Sequence, residues 1–234
     1  MYSSSLLYKN QAFVGKIKNM DMVFYIISVL VIVFGSMVLH EIAHGLVAFW
    51  LGDDTAKVKG RISLNPIRHI DPFLTLGMPL ILAVGNLLGA SMPIFGGAKP
   101  VPINTMRLKW NEWGLALVSI SGPATNFILA FLFFTLWVFS YGAVADFAVL
   151  GVQINLGFMI FNLLPIPPLD GSRVIYALAP DGIRRVMEQM ERYGLIIVFM
   201  LIIFFGGVFG SLMGGGIGAI INLFALLFGL DLSI

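Results

Sequence analysis

The chain has 234 residues, of which 59% are hydrophobic and 11% are charged, and its mean hydropathy is +0.95. This composition excludes an ordinary soluble domain and predicts an all-α polytopic membrane protein that contacts the lipid bilayer. A formal net charge of +2 is too small to indicate a nucleic-acid partner. Because cysteine is absent, any bound metal must be held by His, Asp or Glu.

The first long apolar segment follows a polar, mildly basic N-terminal tail at residues 1–21. The segment from Met22 to Leu51 is long enough to cross a bilayer core of about 30 Å at ~1.5 Å per residue. We therefore predict that residues 22–51 form a transmembrane helix.

This predicted helix contains the sequence His-Glu-Ile-Ala-His at residues 40–44. On a helix, His40 and His44 lie one turn apart on one face, which is the spacing that two zinc ligands need. Glu41 lies beside them and can accept a proton from a metal-bound water. In the alternative interpretation, the two histidines hydrogen-bond to a neighbouring helix or bind haem. A metal site is favoured, since an uncompensated carboxylate inside an apolar span is costly.

The composition turns polar between Gly52 and Asp71. Apolar or small residues alternate with polar ones over residues 57–64, and this period of two predicts a β-strand or half of a hairpin. The strand is either a connector at the membrane surface or an edge that holds an extended substrate peptide, and the sequence leaves both possibilities open. His69 lies in a loop-like context and is interpreted as a surface residue, not as a third metal ligand.

Residues 73–102 are apolar at first and then rich in Gly and Pro. This pattern predicts either one further span with an irregular return or a re-entrant segment near the catalytic chamber. Two clearer spans follow, at Trp113–Tyr141 and Val144–Leu164. The first contains Asn126, a polar residue that must find a partner within the membrane.

The second of these spans ends in a Pro-rich stretch that leads to Asp170. Two histidines leave a catalytic zinc site one protein ligand short. Besides Glu41, Asp170 alone among the acids is embedded among apolar residues, just beyond the end of a span. By elimination we predict that Asp170 is the third ligand; the alternative is a simple Asp-Gly turn.

The C-terminal part continues with a charged stretch at 172–193, predicted to be an interfacial helix. Two apolar segments follow, at 193–210 and 217–230, and one helix over both would be about 57 Å long. We predict two spans separated at Gly214–Gly216, which gives five or six spans in total. The glycines predict close helix packing or a hinge. The domain hypothesis is a catalytic core at 22–180 and a C-terminal pair of spans at 181–234 that can act as a gate.

Three motifs together resemble the site-2 protease family of intramembrane zinc metalloproteases. They are His-Glu-x-x-His at 40–44, Gly-Pro-x-x-Asn at 122–126, and Asn-x-x-Pro-x-x-Pro-Leu-Asp-Gly at 162–171. The run Gly-Ala-Lys-Pro-Val-Pro at 97–102 is similar to the compact branch of that family, which has no inserted PDZ or CBS domain.

The resemblance implies hydrolysis of a peptide bond within or near a transmembrane helix of a membrane-protein substrate. It implies one Zn²⁺ per chain held by His40, His44 and Asp170, with Glu41 as the general base. Asn126 and Asn162 are implied to position the substrate or stabilise the oxyanion. The resemblance identifies neither the physiological substrate and its cleavage position nor the oligomeric state.

The distribution of charge predicts the side of the membrane on which the site opens. The loops 52–72 and 165–193, at the catalytic ends of their spans, each contain four Lys or Arg residues, whereas the turn 140–146 has none. The positive-inside rule therefore places the active site towards the cytoplasmic face.

Three other functions compete with a protease. A metal or proton transporter would carry similar intramembrane residues but usually shows paired, inverted halves, and no internal repeat is seen. A serine protease lacks a Gly-x-Ser-x-Gly motif. A catalytically silent scaffold would not need Glu41.

Overall fold

The computed structural model describes residues 21–77, 84 and 97–230. Within these ranges the chain is all-helical and contains no β-strand. The α-helices are α1 (Met22–Trp50), α2 (Thr55–Val58), α3 (Asn111–Phe139), α4 (Gly142–Asn162), α5 (Asp170–Leu178), α6 (Asp181–Arg192) and α7 (Gly194–Leu227). Short 3-10 turns at Pro66–His69 and Thr105–Arg107 and a π-helical turn at Pro72–Gly77 lie between them.

Four of the described helices are long and apolar enough to cross a membrane: α1, α3, α4 and the part of α7 from Ile196 to Leu227. The chain is therefore an integral, multi-pass membrane protein. The first three correspond to the spans predicted from the sequence, with ends shifted by one or two residues. Most of the segment predicted at 73–102, and residues 1–20 of the predicted tail, lie outside the described residues.

Helix α3 lies at the centre of the fold and packs against α1, α4 and α5. Its C-terminal half packs with α4 and α7 in a tight apolar core that includes Phe134, Val152 and Phe224. Its N-terminal half packs against α1 through Ala48, Leu115 and Val118. The two halves of α3 thus join the helix that bears the histidines to the helix that leads to Asp170.

Helix α1 begins at a cap in which Asp21 Oδ1 accepts hydrogen bonds from the backbone N–H groups of Val23 and Phe24. The buried face of α1 recurs every four residues. Its members include small or polar side chains, which allow close helix approach in lipid: Ser28, Ile32, Ser36, His40, His44 and Ala48. The opposite face exposes apolar side chains such as Leu30 and Val31. The histidines therefore face the helix bundle.

The strand predicted at 57–64 is wrong. Residues Thr55–Val58 form a single helical turn, and Gly60 has a φ of +63°, which ends any extended backbone. The apolar members of the alternation do not face a core, because Val58 and Leu64 are more than 70% exposed, whereas Arg61 is buried. A period of two indicates a strand only where one whole face is covered, and here the apolar positions are divided between exposed Val58 and Leu64 and Ile62, which lies against Gly45 of α1.

The predicted break at Gly214–Gly216 is also wrong, because the chain is helical through these residues. Helix α7 spans 34 residues and consists of two helical segments that meet at a kink, and the second segment runs through Gly214–Gly216 without a break. Lipid cannot satisfy exposed backbone groups, so continuing the helix is favoured over breaking it at glycines that each cost only about 1 kcal/mol. The one irregular residue within α7 is Phe205, with φ −120° and ψ 22°.

The loop after α1 is tied to the segment before α3 by Asp53, which is fully buried. Its Oδ1 accepts from the Thr55 N–H at 3.0 Å, and its Oδ2 accepts from the Asn104 N–H at 2.6 Å. Burial alone would raise the pKa of Asp53, but the hydrogen bonds from Thr55 and Asn104 hold that pKa below its usual value. The charged form of Asp53 therefore fastens the loop close to the end of α1.

Candidate metal centre

Helix α1 brings His40 and His44 together because they are four residues apart on its buried face. Their Nε2 atoms are 3.0 Å apart, and both residues are only 7% exposed. The site is therefore enclosed by protein within a helix whose opposite face is lipid-exposed.

Asp170 reaches the histidines from the end of α4. Helix α4 ends at Asn162, and the Pro-rich residues 165–168 lead to Asp170, the first residue of α5. Asp170 Oδ2 lies 3.2 Å from His40 Nε2 and 3.3 Å from His44 Nε2. Three potential ligand atoms, each from a different residue, thus form a small triangle.

The hydrogen bonds on the far side of each imidazole decide what this triangle can hold. His40 Nδ1 lies 2.6 Å from Asn126 Oδ1, and His44 Nδ1 lies 2.7 Å from the Val118 carbonyl oxygen. Both partners are acceptors, so the protons of the neutral rings are on Nδ1 and the Nε2 lone pairs face each other.

Two lone pairs and a carboxylate oxygen in one buried triangle fit a cation. Asp170 Oδ2 is buried and makes no hydrogen bond. Ligand atoms about 2.0–2.1 Å from a tetrahedral zinc ion lie roughly 3.3 Å apart, close to the separations of 3.0 to 3.3 Å found here. The donor set His, His, Asp suits zinc, and the residues present therefore fit the ion.

Gly122 of α3 faces the same triangle. A Cβ at this position would lie 2.5 Å from His40 Cε1 and 2.5 Å from His44 Nε2. Only glycine lets the backbone of α3 approach the two rings so closely. This steric requirement explains why a glycine stands four residues before Asn126.

Glu41 lies beside the triangle and is 9% exposed. Its Oε2 accepts a hydrogen bond of 2.8 Å from the Val101 backbone N–H. Val101 belongs to residues 97–104, which form neither helix nor strand. We call this segment the strap. The strap therefore crosses α1 at the carboxylate.

The strap is held by polar contacts at both ends and in the middle. The Arg61 guanidinium donates to the Lys99 and Pro100 carbonyls. The Lys99 N–H donates to the His69 carbonyl at 2.8 Å, and the Asn104 N–H donates to Asp53.

His69 is 1% exposed and its Nε2 bonds to the Ser63 carbonyl, so the prediction that it lies on the surface is wrong.

The two predicted substrate-handling asparagines occupy different positions. Asn126 is fully buried; its Oδ1 faces His40, and its Nδ2 donates to Asn155 Oδ1 at 3.0 Å. Asn162 is half-buried at the end of α4, and its Nδ2 donates to the Phe158 carbonyl one turn earlier. The amide of Asn126 is thus committed to groups of the protein, whereas that of Asn162 makes a bond within its own helix.

Comparisons with known proteins agree with this geometry. Residues 141–205 match Peptidase family M50. The chain is 41% identical over 206 residues, covering 82% of this chain and 89% of the relative, to "Putative zinc metalloprotease YwhC" of Bacillus subtilis. The chain belongs to peptidase family M50.

Two further relatives extend the comparison. "Putative zinc metalloprotease Rip2" of Mycolicibacterium smegmatis is 32% identical over 72% of this chain and 63% of its own length. "Putative zinc metalloprotease MJ0611" of Methanocaldococcus jannaschii is 31% identical over 70% of this chain and 76% of its own length. No solved structure matches the chain. The resemblance to the site-2 protease family is confirmed, and this M50 peptidase is a zinc metalloprotease.

Sequence reasoning missed three residues near the site: Asn155, Arg61 and Val101. Asn155 had a usable signal, since an amide inside an apolar span needs a partner, and the predicted spans at 113–141 and 144–164 contain only two other asparagines, Asn126 and Asn162. Arg61 and Val101 gave no such signal, because their contacts join segments about 40 to 60 residues apart.

Proposed function

We propose that this M50 peptidase hydrolyses a peptide bond within or near a transmembrane helix of a membrane-protein substrate, using one zinc ion per chain. The observation that carries the proposal is the triangle of His40 Nε2, His44 Nε2 and Asp170 Oδ2, built on a membrane-spanning helix. A site at this position meets peptide bonds that are inside the bilayer or at its edge.

His40, His44 and Asp170 would hold the ion and leave a fourth position for water or substrate. When bound, zinc supplies a Lewis acid that polarises the scissile carbonyl and lowers the pKa of water towards neutrality. Glu41 accepts the proton from the attacking water and transfers it to the leaving amine. The Val101 N–H holds the Glu41 carboxylate at the ligand histidines, which supports this role.

Of the two asparagines, Asn162 is better placed to act on the substrate. Its Nδ2 donates only to a carbonyl of its own helix. If that bond is given up, the amide N–H can donate to the developing oxyanion instead. Asn126, by contrast, contacts His40. We therefore propose that Asn126 orients His40 and that Asn162 contacts the substrate.

We propose the side of the membrane on which the site opens from the charge of the loops beside it. The segments 52–72 and 165–193, which flank the site, each carry four Lys or Arg residues, and the turn 140–146 carries none. The positive-inside rule supports a site that opens towards the cytoplasm.

The experiment that tests this function uses the purified protein in liposomes with a panel of single-span peptides. The panel includes matched pairs with and without a helix-destabilising Gly or Pro near the centre. We expect cuts within the spans, mapped by mass spectrometry, that stop with a chelator and return with added zinc, and that are faster in the Gly or Pro member. Cleavage that is insensitive to the chelator, or confined to peptides that do not enter the membrane, would contradict the proposal.

A further inference from the structure

A chain of three hydrogen bonds leads away from the metal centre into the middle of α4. His40 Nδ1 lies 2.6 Å from Asn126 Oδ1, Asn126 Nδ2 donates to Asn155 Oδ1 at 3.0 Å, and Asn155 Nδ2 donates to the Gly151 carbonyl at 2.9 Å. Asn126 and Asn155 are both completely buried. No solvent is at hand to compensate for a broken bond in this chain.

The Gly151 carbonyl, at the end of the chain, determines which way both asparagine amides are turned. A backbone carbonyl can only accept a hydrogen bond, so Asn155 must turn its Nδ2 towards Gly151 and its Oδ1 towards Asn126. That oxygen can only accept, so Asn126 must turn its Nδ2 towards Asn155 and its Oδ1 towards His40. His40 then carries its proton on Nδ1 and keeps the Nε2 lone pair for the metal.

We infer that Asn155 is a positioning residue, which acts through Asn126 to hold His40 in the tautomer that binds zinc. The inference rests on the proposed zinc site but adds a residue outside it. Without Asn155, the amide of Asn126 can rotate by half a turn and present its N–H₂ group to His40. The ring would then have to place its proton on Nε2, where the lone pair is needed.

The two histidines reach the same state by different routes. His44 Nδ1 faces the Val118 carbonyl directly, at 2.7 Å, and a carbonyl cannot be turned around. The tautomer of His40 depends instead on the Asn126 amide, which has an accepting oxygen and a donating N–H₂ group. Asn155 is therefore needed to determine which of the two faces His40. Partners of this kind orient metal-binding histidines, and losing them typically weakens metal binding by about 10–100-fold.

The first measurement is the ¹⁵N NMR spectrum of the ring nitrogens in metal-free, full-length protein. We expect His40 of the wild type to carry its proton on Nδ1 and His40 of Asn155→Leu to be a mixture or the Nε2–H form. A wild-type His40 protonated on Nε2 would overturn the inference, even if no variant folds. This readout needs neither zinc nor activity, so it also remains valid if the proposed protease function fails.

The second measurement is the zinc dissociation constant of a set of variants, obtained by competition with a chelator. We expect Asn155→Leu to weaken binding by about 10–100-fold. Asn155→Asp should stay within about threefold of the wild type, because a neutral acid can donate to Gly151 and accept from Asn126 as the amide does.

The matched control is Thr135→Val on α3. It removes a similar intrahelical bond, from Thr135 Oγ1 to the Phe131 carbonyl at 2.9 Å, in a helix that also packs in the core. Zinc affinity should be unchanged in this control. Equal affinities in Asn155→Leu and the wild type, or an equal loss in Asn155→Leu and Thr135→Val, would overturn the inference.

Discussion

Gly122 sets how closely helix α3 can approach the two histidines. We expect Gly122→Ala to displace the rings, because its Cβ would lie 2.5 Å from atoms of both. A shift of about 1 Å in a catalytic group can cost about 100-fold in rate, so zinc content and cleavage should both fall. The matched control is Gly157→Ala on α4, where a Cβ has nothing within 4 Å. If the two variants retained equal zinc and equal activity, the close approach would have no functional role.

Replacing Asn162 tests whether its amide binds the substrate or only stabilises helix α4. If its amide donates to the oxyanion, Asn162→Ala should lower the single-turnover rate by about 10²–10³-fold while zinc content stays at the wild-type level. The control Ser211→Ala removes another side-chain bond to a carbonyl one turn earlier, at an exposed position of α7. A lower melting temperature with a normal rate in the folded fraction would mean that Asn162 only stabilises its helix.

That His40, His44 and Asp170 lie together could be predicted at the residue scale. His40 and His44 share a helix face by their spacing alone, and Asp170 stood out as an acid among apolar residues. Asn155 could not be assigned a role in this way, because its significance depends on which way the Asn126 amide points. That direction is set by a packed helix pair and has no signature in the sequence.

At the scale of elements, the buried guanidinium of Arg61 is one of the groups that hold the strap. Arg61 is 8% exposed and donates to two strap carbonyls, which keeps the Val101 N–H against Glu41. We expect Arg61→Ala to slow cleavage by roughly tenfold or more, because hydrogen bonds from a charged donor contribute about 1.5–3 kcal/mol. Zinc content should stay unchanged, since no ligand contacts Arg61.

The control for the strap is Arg68→Ala. Arg68 lies on the exposed side of the same loop, and it donates to the Gly60 carbonyl at 2.7 Å, away from the strap. Its loss should leave the cleavage rate nearly unchanged. Equal rates in Arg61→Ala and the wild type would show that the strap does not position Glu41.

The elements that sequence reasoning described correctly are the long apolar helices, whose length and composition are sufficient evidence. The errors have physical causes. The alternation at 57–64 favours a strand by its pattern, but its apolar positions do not share one covered face: Val58 and Leu64 are exposed, and Ile62 lies against α1. The glycines at 214–216 favour a break by composition, but a helix in lipid keeps its backbone groups paired through glycines, and the kink lies instead at Phe205.

At the scale of the whole molecule, α7 is the candidate gate, and the irregular Phe205 divides it. Beyond this residue, Phe224 and Ile221 pack into the core of α3 and α4. Before it, Val198 and Ile202 pack on Leu169, next to the proposed ligand Asp170. We therefore move the proposed hinge from the glycines to Phe205, with the first half of α7 as the moving part.

Disulfide locks test the gate, since the native chain has no cysteine. A Leu169→Cys, Val198→Cys pair would fix the first half of α7 to the Asp170 segment. We expect this lock to slow cleavage of a spanning substrate but to spare a short soluble peptide, with recovery on reduction.

The control lock fixes the half of α7 that we expect to stay still. It joins Ile160→Cys to Gly216→Cys, where a Cβ on residue 216 would lie 3.0 Å from Ile160 Cδ1. This lock should leave the cleavage of both substrates unchanged. If the first lock also left the cleavage of spanning substrates unchanged, α7 would not move to admit the substrate, and the substrate would enter elsewhere.

The most direct test of the central claim is to measure zinc content and single-turnover cleavage of a spanning peptide on the same sample of Glu41→Gln. Glu41 is proposed as the base and not as a ligand, so we expect close to one zinc per chain and cleavage reduced by at least about 10²-fold. Asp170→Ala, measured alongside, should lose both zinc and cleavage. Wild-type cleavage by Glu41→Gln, or full zinc content in Asp170→Ala, would contradict the assignment of these residues.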